Sequence, residues 1–144
     1  MASPLIAILV PAVGAVLIGF TGERRANLRE FWSIAGGVLM SAVVISMIPE
    51  VLGGGSPECV LFRLMPGIDL AFRADAFGLL FAGGAAILYT LTSFYSIGYM
   101  RTLDEHAQTR YFACFALALT TTMGVAFAAN LFTLFLFYEA LSLI

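Results

Sequence analysis

Residues 129–144 read ANLFTLFLFYEALSLI, with one carboxylate, Glu139, inside an otherwise apolar run. The fold turns on whether this run packs in the core of a soluble domain or lies in a membrane. Composition decides. Hydrophobic residues make up 61% of the chain and charged residues only 11%, against roughly a quarter charged in soluble domains. The mean hydropathy of +0.99 agrees. Lipid is the solvent of this protein, and it is an integral membrane protein. Asn130 stands where a helix N-cap belongs. The 14 residues from Leu131 to Ile144 make about 21 Å of helix at about 1.5 Å per residue. The hydrocarbon core is about 30 Å thick, so this segment reads as the start of a spanning helix.

Working outward, four complete spans of about 20 apolar residues precede it, at residues 3–20, 31–52, 76–100 and 111–128. Pro4 opens the first, where a missing N–H costs nothing, and Pro11 is expected to kink it. Cleavage of that segment as a signal peptide is not expected. It has no basic leading region, its first charge is Glu23, and its apolar run is too long. Trp32 anchors the second span at the interface. Between spans two and three, Gly53–Gly55 and Pro57 break the helix. Ile68, Leu70 and Phe72 then alternate with Asp69, Ala71 and Arg73, a period of two that marks a strand. Pro66-Gly67 is a turn signal, so residues 59–74 are expected to form a short extracytoplasmic β-hairpin on the membrane surface. The expected fold class is an all-α polytopic membrane protein, one membrane segment over 1–144. It has four complete transmembrane helices, the start of a fifth at 131–144, and the hairpin.

All seven basic residues are Arg, and the chain has no Lys. Three Arg fall in 21–30 and two in 101–110, against two in the longer stretch 53–75. The positive-inside bias then places the N-terminus and the hairpin outside a cell (inner) membrane. Nucleic acid is excluded as a partner, because a net charge of −2 offers no clustered basic face. Cys59 and Cys114 lie in different settings and read as unpaired small hydrophobes. His106, the single histidine, reads as a solvated loop residue. With one His and two separated Cys there is no metal-ligand spacing. No phosphate loop, dinucleotide fingerprint or nucleophile elbow occurs. No catalytic site and no cofactor are expected in this chain.

The residues that can carry chemistry are few. Glu139 lies about 13 Å from the start of the last helix. A carboxylate at that depth costs roughly 2.5–3.5 kcal/mol on insertion scales and normally faces a polar interior used for ion or proton passage. Its alternative is a structural Glu satisfied by an Arg or hydroxyl of a neighbouring helix, or a Glu near the membrane surface because the helix ends there. In the third span Tyr89, Thr92, Ser93 and Ser96 recur on one helical face, and Thr120, Thr121 and Thr122 add hydroxyls to the fourth. Ser93, Ser96, Thr120 and Thr121 are candidates for a polar lining. The competing reading is interhelical hydrogen bonding, or bonding back to the i−4 carbonyl.

The motifs IDLAFRADAFG (68–78), YSIGYM (95–100) and NLFTLFLFYEALSL (130–143) resemble the antiporter-like membrane subunits shared by respiratory complex I, Mrp-type Na⁺/H⁺ antiporters and membrane-bound hydrogenases. The LFLFYE wording is closer to the Mrp D-type or complex I M-type branches. The resemblance implies a proton- or monovalent-cation-translocating subunit (H⁺, with Na⁺ as a further candidate) within a complex of other membrane subunits. Such subunits are labelled antiporter or NADH-quinone oxidoreductase components. It also implies inverted five-helix repeats, in which the fifth-helix carboxylate, here Glu139, pairs with a lysine on a later helix. This chain has no Lys and only the first part of one repeat. It therefore reads as the N-terminal part of such a subunit, with Glu139 as a proton-relay carboxylate. The alternatives are a non-transporting structural membrane subunit or a nonfunctional truncated product.

Overall fold

The computed structural model describes residues 4–65, 68–103 and 106–144. The expected Pro66-Gly67 turn, the helix start at Ser3, and Asp104 and Glu105 of the charged connection lie outside the described residues. Five helices and one hairpin follow in order: α1 (Pro4–Thr21), α2 (Ala26–Leu52), β1 (Glu58–Met65), β2 (Ile68–Arg73), α3 (Ala76–Leu103), α4 (Gln108–Ala126) and α5 (Leu131–Leu143). Helix α1 runs through Pro11 without a break, and it buries Ala7, Ile8, Ala15 and Ile18 on one stripe. Helix α2 buries Ser33, Gly37, Met40, Val44 and Met47, a spacing of three to four residues that keeps one face inward. The outward faces are apolar too: Val16, Leu39, Ile45, Leu80, Leu88 and Leu91 are all exposed. That is the pattern of helices solvated by lipid rather than water.

Three helices, α1, α2 and α3, are long and apolar enough to cross a membrane. Helix α4, expected as a fourth span, is not among them. Gln108, Arg110 and Thr120–Thr122 dilute its apolar character. Its position explains why this is tolerated: α4 packs against α1, α2, α3 and α5, so protein rather than lipid covers much of it. Helix α2 begins at Ala26, ahead of the expected Phe31, and carries Arg29 and Glu30 inside its first turns. Both are buried and paired, so the helix continues through charged residues. Helix α5 has 13 residues, about 20 Å of axis.

The hairpin is antiparallel, with Cys59 opposite Phe72 and Val60 opposite Ala71, and register shifts follow at Val60/Phe62 and Arg63/Met65. Residues of β1 are exposed on both faces, whereas Leu70, Ala71 and Phe72 of β2 are buried. On its free edge β2 meets the connection between α4 and α5, through a bridge of Phe72 with Ala128. The hairpin and this connection thus gather at one end of the bundle, while the α1–α2 and α3–α4 connections meet at the other.

Helix α5 approaches α4 closely because Gly124 has no side chain. A Cβ there would overlap the Phe137 ring. Replacing Gly124 with Ala should therefore force α5 outward and lower stability by about 1–3 kcal/mol, the usual range for overpacking. Chemical unfolding of the detergent-solubilised protein measures this, and a wild-type midpoint would contradict it.

Candidate functional site

The N-terminus of α5 is built by two polar side chains. Asn130 has extended backbone and caps the helix, its Oδ1 accepting from Thr133 N–H at 2.8 Å. This is the N-cap arrangement expected from sequence, which satisfies one otherwise orphaned amide. The same side chain also donates from Nδ2 to the Asp69 carbonyl at 2.6 Å. Thr133, fully buried, accepts from Ala71 N–H at 3.1 Å, and its hydroxyl lies 3.5 Å from the Asp69 carbonyl. The backbone continues the joint: Ala129 N–H donates to Ala71 O at 3.0 Å and Arg73 N–H to Phe127 O at 2.8 Å. One turn further along, Phe137 sits edge-on to Phe72 with ring centroids 5.5 Å apart. The start of α5 is thus fixed by β2.

Glu139 lies two residues past Phe137, on the opposite side of the helix from Thr133 and Phe137. It is exposed, as are Phe135, Leu136 and Leu143 of the same face. Among the described residues it has no hydrogen-bond or ion-pair partner. The structure therefore turns the one carboxylate of this helix outward across an apolar face, away from every helix of the bundle.

The candidate lining residues fall into two groups that do not meet. Ser93 accepts from the Ser33 hydroxyl at 3.2 Å, and Ser33 also lies 3.3 Å from Tyr89 Oη. Ser96 pairs with Tyr111 Oη at 2.9 Å. Phe115 stacks between the rings of Tyr89 and Tyr111 at 4.6 and 6.0 Å. These contacts join α3 to α2 and to α4. Thr120 and Thr121 instead bond back along α4, Thr120 to Ala116 O at 2.9 Å and Thr121 to Leu117 O at 3.1 Å. Thr92 and Thr122 reach a groove of about 210 Å³ between α3 and α4, whose other walls are Ala85, Leu88, Tyr89, Phe115, Ala118 and Leu119. It is mainly apolar, and neither Glu139 nor the Ser93 and Ser96 hydroxyls line it.

Sequence reasoning missed a cluster of charges at the far end of the bundle. Arg29 is 1% exposed. It donates to Glu23 Oε2 at 3.0 Å, Thr109 Oγ1 at 3.3 Å and Gln108 Oε1 at 2.6 Å, with its guanidinium 5.6 Å from the centre of the Phe112 ring. Its neighbour Glu30 turns to α3, where Arg101 donates to both carboxylate oxygens at 2.9 and 2.5 Å and to Asn27 Oδ1 at 2.5 Å. The adjacent Arg29-Glu30 pair is visible in the sequence, but the long-range partners at 101 and 108–109 are not.

The cluster makes both stability and its pH dependence testable. Replacing Arg101 with Ala strands the buried Glu30 carboxylate and should destabilise the protein by about 1–3 kcal/mol. Adding Glu30→Gln should recover part of that loss, and thermal unfolding of the pair in detergent reads the difference. Glu23 supplies the pH dependence. Partial burial opposes its ionisation, but hydrogen bonds from the backbone and side chain of Thr109, together with Arg29, outweigh it and hold its carboxyl below the usual range. A lowered folded-state pKa means this contribution is complete above the unfolded pKa of about 4.3 and is lost as pH falls through the folded value. The stability gap between wild type and Glu23→Gln should therefore be constant near neutrality and close in acid.

No family model matches the chain. Two relatives do. One, from Rhizobium meliloti, is named as the A/B subunit of a "Probable K(+)/H(+) antiporter"; it is 28% identical over 144 residues, covering 95% of this chain and 14% of that protein. The other is "Putative antiporter subunit mnhA2" of Staphylococcus haemolyticus, 29% identical over 109 residues, covering 73% of this chain and 13% of that protein. The chain thus spans about a seventh of the length of the relatives it matches. Neither name belongs to the D-type or M-type branch that the LFLFYE wording suggested. The two relatives bear out the wider resemblance, that of this chain to Mrp-type antiporter-like membrane subunits.

Proposed function

We propose that this chain is the N-terminal part of a proton- or monovalent-cation-translocating antiporter-like subunit of a membrane complex, with Glu139 as an intramembrane proton-relay carboxylate. The observation that carries the reading is where Glu139 stands. It is exposed on an apolar face of α5, turned away from the bundle. Left against lipid it would cost roughly 2.5–3.5 kcal/mol. A polar or cationic group on an element beyond the described residues removes that cost. A carboxylate whose proton affinity rises with desolvation and falls beside a cation can take up and release a proton as that partner changes. Both relatives are named as antiporter subunits, and the Rhizobium name, with K⁺ and H⁺, supports proton exchange for a monovalent cation; Na⁺ is the ion the sequence resemblance implies. In this reading α4 is a fourth span shielded by its neighbours. The Arg29 and Arg101 end faces inward, and the N-terminus and hairpin lie outside an inner cell membrane. The partners are other membrane subunits.

A second reading, a structural subunit that moves nothing, is favoured by the hydroxyls. Ser93, Ser96, Thr120 and Thr121 are all satisfied within the packing, so none needs water. Replacing Glu139 with Gln in the assembled complex separates the two. Relay function predicts at least roughly a tenfold loss of cation-driven proton movement in membrane vesicles, with the complex assembled normally. Unchanged transport would contradict the relay. A complex that no longer assembles would favour the structural reading.

A further inference from the structure

We infer that Thr133, together with Asn130, is a positioning residue for Glu139, holding α5 to the hairpin so that the carboxylate keeps one depth and one rotation; this rests on the relay reading of Glu139. Thr133 is the one residue of α5 that is buried. The elements α5 packs on are α4 and β2, so its placement depends on few contacts. On β2, Ala71 has its carbonyl taken by Ala129 N–H and its own N–H taken by Thr133 Oγ1. The threonine hydroxyl thus stands in for the backbone acceptor that a third strand would supply. Asn130 acts in two directions at once, capping Thr133 N–H and donating to the Asp69 carbonyl. The first turn of the helix is therefore stitched to two consecutive odd-numbered residues of β2.

A second pin lies one turn on, where Phe137 rests on Phe72 and against Gly124. Two pins on one side of a helix fix its rotation as well as its height. Successive residues differ by about 100° around the axis, so even a partial turn of α5 redirects Glu139 relative to whatever faces it. A polar partner acts on a carboxylate only at short range. Loosening the hairpin joint should therefore change how Glu139 meets whatever faces it without touching it.

The test uses the full-length subunit in its assembled complex, with transport in vesicles measured across pH and divided by the amount of assembled complex. Thr133→Val removes the acceptor for Ala71 N–H. It should shift the pH midpoint of transport by about 0.5 unit or more, and Thr133→Ser should restore the wild-type midpoint. A structural defect alone would lower the amplitude and leave the midpoint in place. If the Val variant does not assemble, Asn130→Ser serves, since it keeps a neutral capping oxygen but loses the Nδ2 donor to Asp69; the same shift is expected. A wild-type midpoint in the assembled variant overturns the inference while a transport-dead Glu139→Gln leaves the relay standing. Full transport in Glu139→Gln overturns both.

Discussion

The pairing of β2 along its second edge is the constraint on which the placement of α5 depends. A strand in a two-stranded hairpin leaves one row of amides and carbonyls unpaired, and an apolar setting makes that costly. Here the row is completed partly by backbone, from Phe127 to Ala129, and partly by the side chains of Asn130 and Thr133. Because those residues also begin α5, satisfying the strand and placing the helix are the same event. Gly124 then lets Phe137 come down on α4. The carboxylate of Glu139 is left pointing outward as a consequence of contacts on the other side of its helix.

The opposite end solves a different problem by similar means. Helix α2 enters the bundle carrying a positive and a negative charge on adjacent residues, both buried. Arg29 reaches toward α4 and the first connection, and Glu30 toward α3. Each is held by an oppositely charged partner, the condition under which a buried charge is tolerable. One turn further along α2 neutral groups take over, with the Ser33, Ser93 and Tyr89 hydroxyls joining α2 and α3. Polar contacts thus join α2, α3 and α4 at this end and tie α5 to β2 at the other, in a setting where lipid provides little hydrophobic drive for association.

Much of this is legible in the sequence, because its strongest signals are local. Long apolar runs mark α1, α2 and α3, the alternation from Ile68 to Arg73 marks β2, and Asn130 before Leu131 marks the cap. Helix α4 falls short of the other three because Gln108, Arg110 and three consecutive threonines belong to the same helix as its apolar run. Its neighbours, invisible in one dimension, decide how much lipid it meets. The start of α2 reads five residues late for the same reason: charges look like a loop until their distant partners are known. Glu139 stands out as an anomaly of composition. Its outward direction is not readable, since the residues around it are largely apolar and the helix has no polar face to betray its orientation.

The central claim is that the Glu139 face of α5 meets a polar element of the assembled protein and not lipid. Spin labels at Phe135→Cys and Leu136→Cys, which flank it on the exposed face, report this directly in the native complex once Cys59 and Cys114 are replaced. Leu91→Cys, on the exposed face of α3, serves as the reference once high oxygen access establishes that it faces lipid. The account predicts that both α5 labels are immobilised and far less accessible to membrane-dissolved oxygen than the label at 91. Equal mobility and equal oxygen access at all three sites would place Glu139 against lipid and contradict it.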